Sequence, residues 1–154
     1  VGQAAQPILS VNYGAGNWPR VRQTLHCALA ATAGFAFLWT VLCESIPNTF
    51  VHIFMTPTEE ILALAPHMIR TYALSFVLLP LNIFSTYYFQ ALMQPKTAIV
   101  ISVARGLVVS GVLILLLPAV FGPDSIWLAM PITELLIAVY VVRKMILCTN
   151  RLGA

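Results

Sequence analysis

Charge is what this sequence has least of. Among 154 residues, eight are lysine or arginine and five are aspartate or glutamate, 8% in all. A soluble domain needs about 25% to coat its surface. Here 60% of residues are hydrophobic and the mean hydropathy is +0.90. Such a chain cannot cover itself in water, so lipid is its solvent and the protein is integral to a membrane. Cysteine is also sparse. Cys27, Cys43 and Cys148 show neither C-x-x-C spacing nor an even count, which argues against a zinc site or a disulfide framework. They read as small apolar packing residues.

Glycine is missing where nucleotide chemistry would need it. Gln6 to Trp18 read QPILSVNYGAGNW, and Gly14 and Gly16 begin like a dinucleotide loop. That fingerprint needs a third glycine and an acid about 20 residues further on. Pro19 holds the glycine's place, and the next acid is Glu44, beyond an apolar helix. No G-K-[ST] follows either. The glycines therefore read as a helix stop with a left-handed cap. The net charge of +3 is not clustered with exposed aromatics, so no nucleic-acid partner is expected. No Ser-His-Asp, paired-carboxylate or metal constellation falls at one depth, so the chain does not read as an enzyme and no cofactor is expected. His26 at a loop edge, and His52 and His67 in a connection, read as interfacial polar groups. Met55, Met68, Met93, Met130 and Met145 share no ligand spacing.

What is abundant is long apolar sequence. A spanning helix needs about 20 mostly apolar residues, and four segments qualify: 26–46, 71–93, 97–120 and 125–148. The stretch 1–13 is too short to span and reads as the end of a truncated transmembrane helix. The fold expected over 1–154 is thus an all-α integral membrane bundle with four full transmembrane helices and a partial one. Gly14-Ala15-Gly16 with Pro19, Pro47-Asn48, Thr56-Pro57, Gln94-Pro95 and Gly122-Pro123 mark the breaks. Thr58 followed by Glu59 and Glu60 reads as a capped helix start, leading amphipathically into the second span.

Loop charges alternate along the chain. Arg20, Arg22, Lys96, Arg143, Lys144 and Arg151 fall at one end of the bundle. Glu44, Glu59, Glu60 and Asp124 fall at the other, with Arg70 the single basic residue there. The positive-inside rule puts the basic end and the C-terminus in the cytoplasm. Trp18, Trp39 and Trp127 lie toward helix ends, as interfacial anchors do.

Two ionisable residues fall deep within the spans. At about 1.5 Å per residue, Arg105 is roughly 12 Å in from the basic end and Glu134 roughly 14 Å in from the other. In a core about 30 Å thick the two are nearly level. A charge at helix centre costs about 2.5–3.5 kcal/mol, so such residues pair or line a pathway. Three readings stand side by side: an ion pair locking two helices, an ion-coupling carboxylate, or solvated cavity residues. A polar face on the second span carries Asn82, Thr86 and Gln90, with Tyr87 beside it, and Gln6, Ser10 and Asn12 add polar groups on the first stretch. Such stripes either bind helices together or line a wet cavity. Pro80, Pro118 and Pro131 are expected to kink their spans, as moving gates and static bundles both allow.

These residues carry a resemblance. Gln6-Pro7, then Asn12-Tyr13-Gly14-Ala15, then Arg20-Val21 resemble the Q-P-x-x-x-x-N-Y-G-A…R-V signature of MATE (multidrug and toxic compound extrusion) transporters. Tyr88-Phe89-Gln90-Ala91 with Lys96 and Ala98 is similar to that family's Y-F-Q-A turn. Ser102 to Arg105, Leu117-Pro118, Phe121-Gly122 and Ile126 to Glu134 resemble its last two helices. The motifs come in family order along nearly the whole chain.

The resemblance implies the end of the family's eighth helix and helices nine to twelve, part of the second of two six-helix lobes. The rest of the transporter, including its N-terminal portion, would be a partner. It further implies an antiporter in a cell (inner or plasma) membrane, multi-pass, embedded in the lipid bilayer. The antiporter would extrude organic cations or amphipathic drugs in exchange for Na⁺ or H⁺, and so serve multidrug efflux. Candidate pathway residues are Gln6, Asn12, Asn82, Thr86, Tyr87, Gln90, Arg105 and Glu134. Some family members carry an acid in the second-lobe cavity, where this chain has Asn82, leaving Glu134 as the deep acid. At the Y-F-Q-A turn, Met93 and Gln94 stand where a glycine and a basic residue are common. The alternatives are a related lipid-linked-substrate flippase or polysaccharide exporter, or a small structural membrane subunit.

Overall fold

The computed structural model describes residues 1–54 and 56–152; Met55 and residues 153–154 lie outside the described residues. The chain is 90% helical, with no strand among the described residues. Its helices are α1 (Gly2–Gly14), α2 (Trp18–Ser45), α3 (Pro47–Phe54), α4 (Glu59–Ala73), α5 (Leu79–Ala91), α6 (Pro95–Val103), α7 (Ser110–Phe121) and α8 (Ala129–Asn150). A 3₁₀ turn at Leu74–Val77 joins α4 to α5, a π turn at Ala104–Val109 joins α6 to α7, and a 3₁₀ turn at Pro123–Leu128 leads into α8. Among the described residues, four stretches are long and apolar enough to cross a membrane: Trp18–Ser45, Glu59–Ala91, Pro95–Phe121 and Pro123–Asn150. The protein is a multi-pass membrane protein.

Each stretch is longer than its apolar core because the helix continues into polar sequence. α2 begins at Trp18 rather than at residue 26. The side chain of Asn17 caps it by accepting from the Arg20 amide, and Pro19 sits in the first turn, where its missing N–H costs nothing. His26 accordingly lies inside α2 and not at a loop edge. Thr58 caps α4 by accepting from the Ile61 amide. The prolines divide into two kinds. Pro80 and Pro131 occupy the first turns of α5 and α8, each just after a 3₁₀ turn, and Pro118 lies inside α7.

Two helix ends share one geometry. After α1, Gly16 takes φ +67°, its amide donates to the Tyr13 carbonyl, and the Asn17 amide donates to the Asn12 carbonyl. This is the Schellman arrangement, with glycine at its left-handed position. After α5 the same pair of bonds recurs, Met93 to Gln90 and Gln94 to Phe89, but the left-handed residue is Met93 at φ +57°.

The core is built around α5 toward the basic end. Phe84, Tyr88 and Phe89 are fully buried among Leu9 of α1, Val21 and Leu25 of α2, Ile101 of α6, and Val141 and Met145 of α8. The outer faces stay apolar: Phe37, Leu115 and Phe121 are each more than 70% exposed. In water such surfaces would drive aggregation, whereas in a bilayer they meet lipid.

Candidate functional site

Glu134 is 0% exposed, one turn into α8 and in the interior of the bundle. A carboxylate in that setting needs partners on both oxygens. One is Arg105, whose Nη1 lies 3.2 Å from Oε1 and whose side chain is 25% exposed. The other is Asn82, also fully buried, whose Nδ2 donates to Oε2 at 2.6 Å and to the Glu134 backbone carbonyl at 2.9 Å. Three spanning stretches thus meet at one carboxylate.

Local structure explains each approach. Arg105 sits in the π turn, where one extra residue per turn changes the direction of the following side chains. The adjacent Gly106 adds no bulk there. Asn82 is held on its own helix by its amide bond to Leu78 and by Ser85, whose hydroxyl donates to the Asn82 carbonyl at 2.6 Å. Thr133, buried beside Glu134, turns its hydroxyl back to the Ala129 carbonyl at 2.7 Å and so does not compete for the carboxylate. Two atoms of the cluster keep unspent capacity. Among the described residues, Asn82 Oδ1 and Arg105 Nε have no hydrogen-bond partner.

The remaining polar candidates lie elsewhere. Gln6 Nε2 donates to Gln90 Oε1 at 3.3 Å, joining α1 to α5 on an exposed face. Thr86, on the same side of α5, donates to the Ile83 carbonyl of its own helix. The Tyr87 ring packs against Gly2, where a Cβ would overlap it. The Asn12 and Ser10 side chains donate to carbonyls of α1, those of Ile8 and Gln6. The stripe Asn82, Thr86, Gln90 is therefore split: its first member is buried with Glu134, and the others face outward beside Gln6. At the acidic end lies a separate apolar cavity of 430 Å³, lined by Phe50, Phe54, Met68, Tyr72, Phe76 and Trp127 among others.

The sequence pointed to Arg105 and Glu134 through their depth, and to Asn82 through its stripe. It gave no direct sign of the π turn; the only available hint was an arginine followed by glycine inside an apolar run. The bond between the buried Tyr88 hydroxyl and Thr149, 2.7 Å long, had no sequence signal either.

A family model described as MatE matches residues 1–116. The match takes in Asn82 and Arg105 and ends before Glu134. No curated protein and no solved structure matches the chain. Since the family match covers most of the sequence, the chain belongs to the MatE family, that of the multidrug and toxic compound extrusion transporters.

Proposed function

We propose that this chain is part of the second lobe of a secondary active exporter, an antiporter that moves organic cations or amphipathic drugs outward against Na⁺ or H⁺. The observation that carries this reading is the buried Glu134 with its two partners, Arg105 and Asn82, in helices of a MatE protein. In a structural subunit such a cluster would serve only to lock helices, at a cost in insertion energy, and nothing would require its contacts to change. In a transporter something does, because alternating access requires groups whose contacts change between two states. Asn82 Oδ1, without a partner, and the Glu134 carboxylate are oxygen donors of the kind a hard cation takes, and Arg105 holds the place such a cation would enter.

In this reading the basic end and the C-terminus face the cytoplasm of a cell membrane, by the positive-inside rule. Gln6, Thr86, Tyr87 and Gln90 form the outward polar face that would meet substrate or the other lobe, with Asn12 beside them on α1.

The test is dye transport by the native gene product in everted membrane vesicles. An imposed Na⁺ or H⁺ gradient should drive ethidium movement, and Glu134→Gln should abolish the gradient dependence while the protein remains in the membrane. Transport indifferent to both gradients would overturn the antiporter reading. The intact mass of the native product addresses the lobe assignment: it should lie well above the 16.9 kDa of this chain.

A further inference from the structure

We propose that the basic end of the bundle carries a binding site for a phosphate-bearing anion, filled by the headgroup of an anionic lipid in the adjoining leaflet. The site is a cavity of 240 Å³ lined by Tyr13 at the end of α1, Gln94 in the α5–α6 turn, and Lys144, Cys148, Arg151 and Leu152 along the end of α8. That volume holds a phosphate group with some of its water, a single water taking roughly 30 Å³. The inference stands independently of the transport reading.

The walls are fixed. Leu152 is buried, and its carbonyl accepts from Arg22 Nη2 of α2 at 3.0 Å. The amides of Arg151 and Leu152 continue the helical bonding to Cys148 and Thr149. Beneath, Tyr88 bonds Thr149 and ties this end to the core.

The charge has one sign. Lys144 and Arg151 line the cavity, the Lys144 ammonium standing 5.9 Å over the Tyr140 ring, a weak hold from which its flexible stem can turn, and among the described residues no lining residue is acidic. Glu44, Glu59, Glu60 and Asp124 belong to the other end of the bundle. Glu134 lies ten residues before Lys144 on α8, about 15 Å away along the axis. Three helices finish at the cavity, α1, α5 and α8, and one begins, α6, so at about half a charge each the helix ends together bring about one negative charge. The two side-chain cations exceed it and set the sign. Neutral donors are also at hand. Gln94 Nε2 now donates to Cys148 Sγ at 3.2 Å. A thiol is a weak acceptor, so this amide loses little by turning to a phosphate oxygen. Tyr13 supplies a hydroxyl.

The same cavity adjoins lipid-facing surface, which favours a lipid over a soluble anion. Leu147 also lines it and is 56% exposed, as is its neighbour Ile146 at 54%, giving acyl chains an apolar path beside the cations. Tyr13 and Trp18, stacked edge-on at 5.6 Å, mark the interfacial level. Basic pockets between spanning helices at this level suit anionic headgroups.

Cys148, half-buried in the wall, is a built-in reporter. In a chain carrying Cys27→Ser and Cys43→Ala, its alkylation by a maleimide is followed in nanodiscs of phosphatidylcholine with and without phosphatidylglycerol. A sister chain without native cysteines and carrying Ala15→Cys, at an exposed position in the turn between α1 and α2 at the same end, corrects for surface potential. Phosphatidylglycerol should slow Cys148 relative to that control thiol. Lys144→Gln with Arg151→Gln should restore the fast rate, each lost cation weakening binding about fivefold. Lys144→Arg, which keeps the charge, should preserve protection. Equal relative rates in both membranes, or full protection in the double variant, would overturn the site. Inorganic phosphate added to the chain in neutral detergent distinguishes the source: protection as strong as the lipid's would overturn the headgroup assignment.

Discussion

Asn82 donates twice to Glu134, once to the carboxylate at 2.6 Å and once to the backbone carbonyl at 2.9 Å. One amide thereby fixes both the side chain and the backbone of a fully buried acid. Asn82→Leu should remove both bonds and leave the carboxylate short of a donor, at a cost of about 1–3 kcal/mol. Asn82→Asp should cost more, because it sets an acceptor against an acceptor. Thermal unfolding in detergent ranks the two; a leucine variant as stable as the parent would mean that the amide contributes nothing net.

Arg105 and Glu134 form an unequal pair, since the arginine side chain is 25% exposed and the glutamate 0%. Arg105→Gln should leave the acid unpaired in the interior, at about 3 kcal/mol. Glu134→Gln should be milder, because Arg105 retains an exposed path for its charge. The exchange Arg105→Glu with Glu134→Arg should recover part of the loss. Measured stability of the three variants and the parent shows whether opposite charge at the two positions is what holds them together; adding the double change to Gln closes the cycle and gives the coupling. Equal harm from both single changes, with no recovery, would mean separate roles.

Tyr88 combines packing and bonding, being fully buried with its hydroxyl 2.7 Å from Thr149. Tyr88→Phe keeps the ring and should cost about 0.5–1.5 kcal/mol. Tyr88→Ala should empty the centre of the core and cost about 3–5 kcal/mol. Denaturant titration of both variants separates the two contributions.

The bundle was legible because its signals are physical necessities: apolar length sets the spans, and loop punctuation sets their order. The Arg105–Glu134 contact was legible from depth alone, since antiparallel neighbours at similar depth can meet. Asn82 could be placed on a stripe but not assigned a partner, because a period of 3.6 fixes a face and not what covers it. The stripe's division, with Asn82 turned in against Glu134 of α8 and Gln90 turned out beside Gln6 of α1, depends on which helix lies over each position. The π turn at Ala104–Val109 leaves no period in the sequence, because apart from Arg105 its residues are all small or apolar. The helices run past their apolar spans because polar residues such as Arg20 and Gln23 continue a helix that hydropathy alone would end.

Met93 shows the physics beneath a family pattern. The turn after α5 closes with the same two backbone bonds as the turn after α1, where Gly16 holds the left-handed position. A residue with a Cβ pays about 1–2 kcal/mol there, and Met93 is 80% exposed, so its side chain recovers little by packing. Glycine would remove that strain while adding about 0.5–1 kcal/mol of chain entropy to the unfolded state. Met93→Gly should therefore stabilise by a few tenths to about 1 kcal/mol, read as a raised thermal midpoint. Met93→Val, branched at Cβ and worse suited to positive φ, should lower it. If both substitutions moved the midpoint the same way, the left-handed turn would not be the cause.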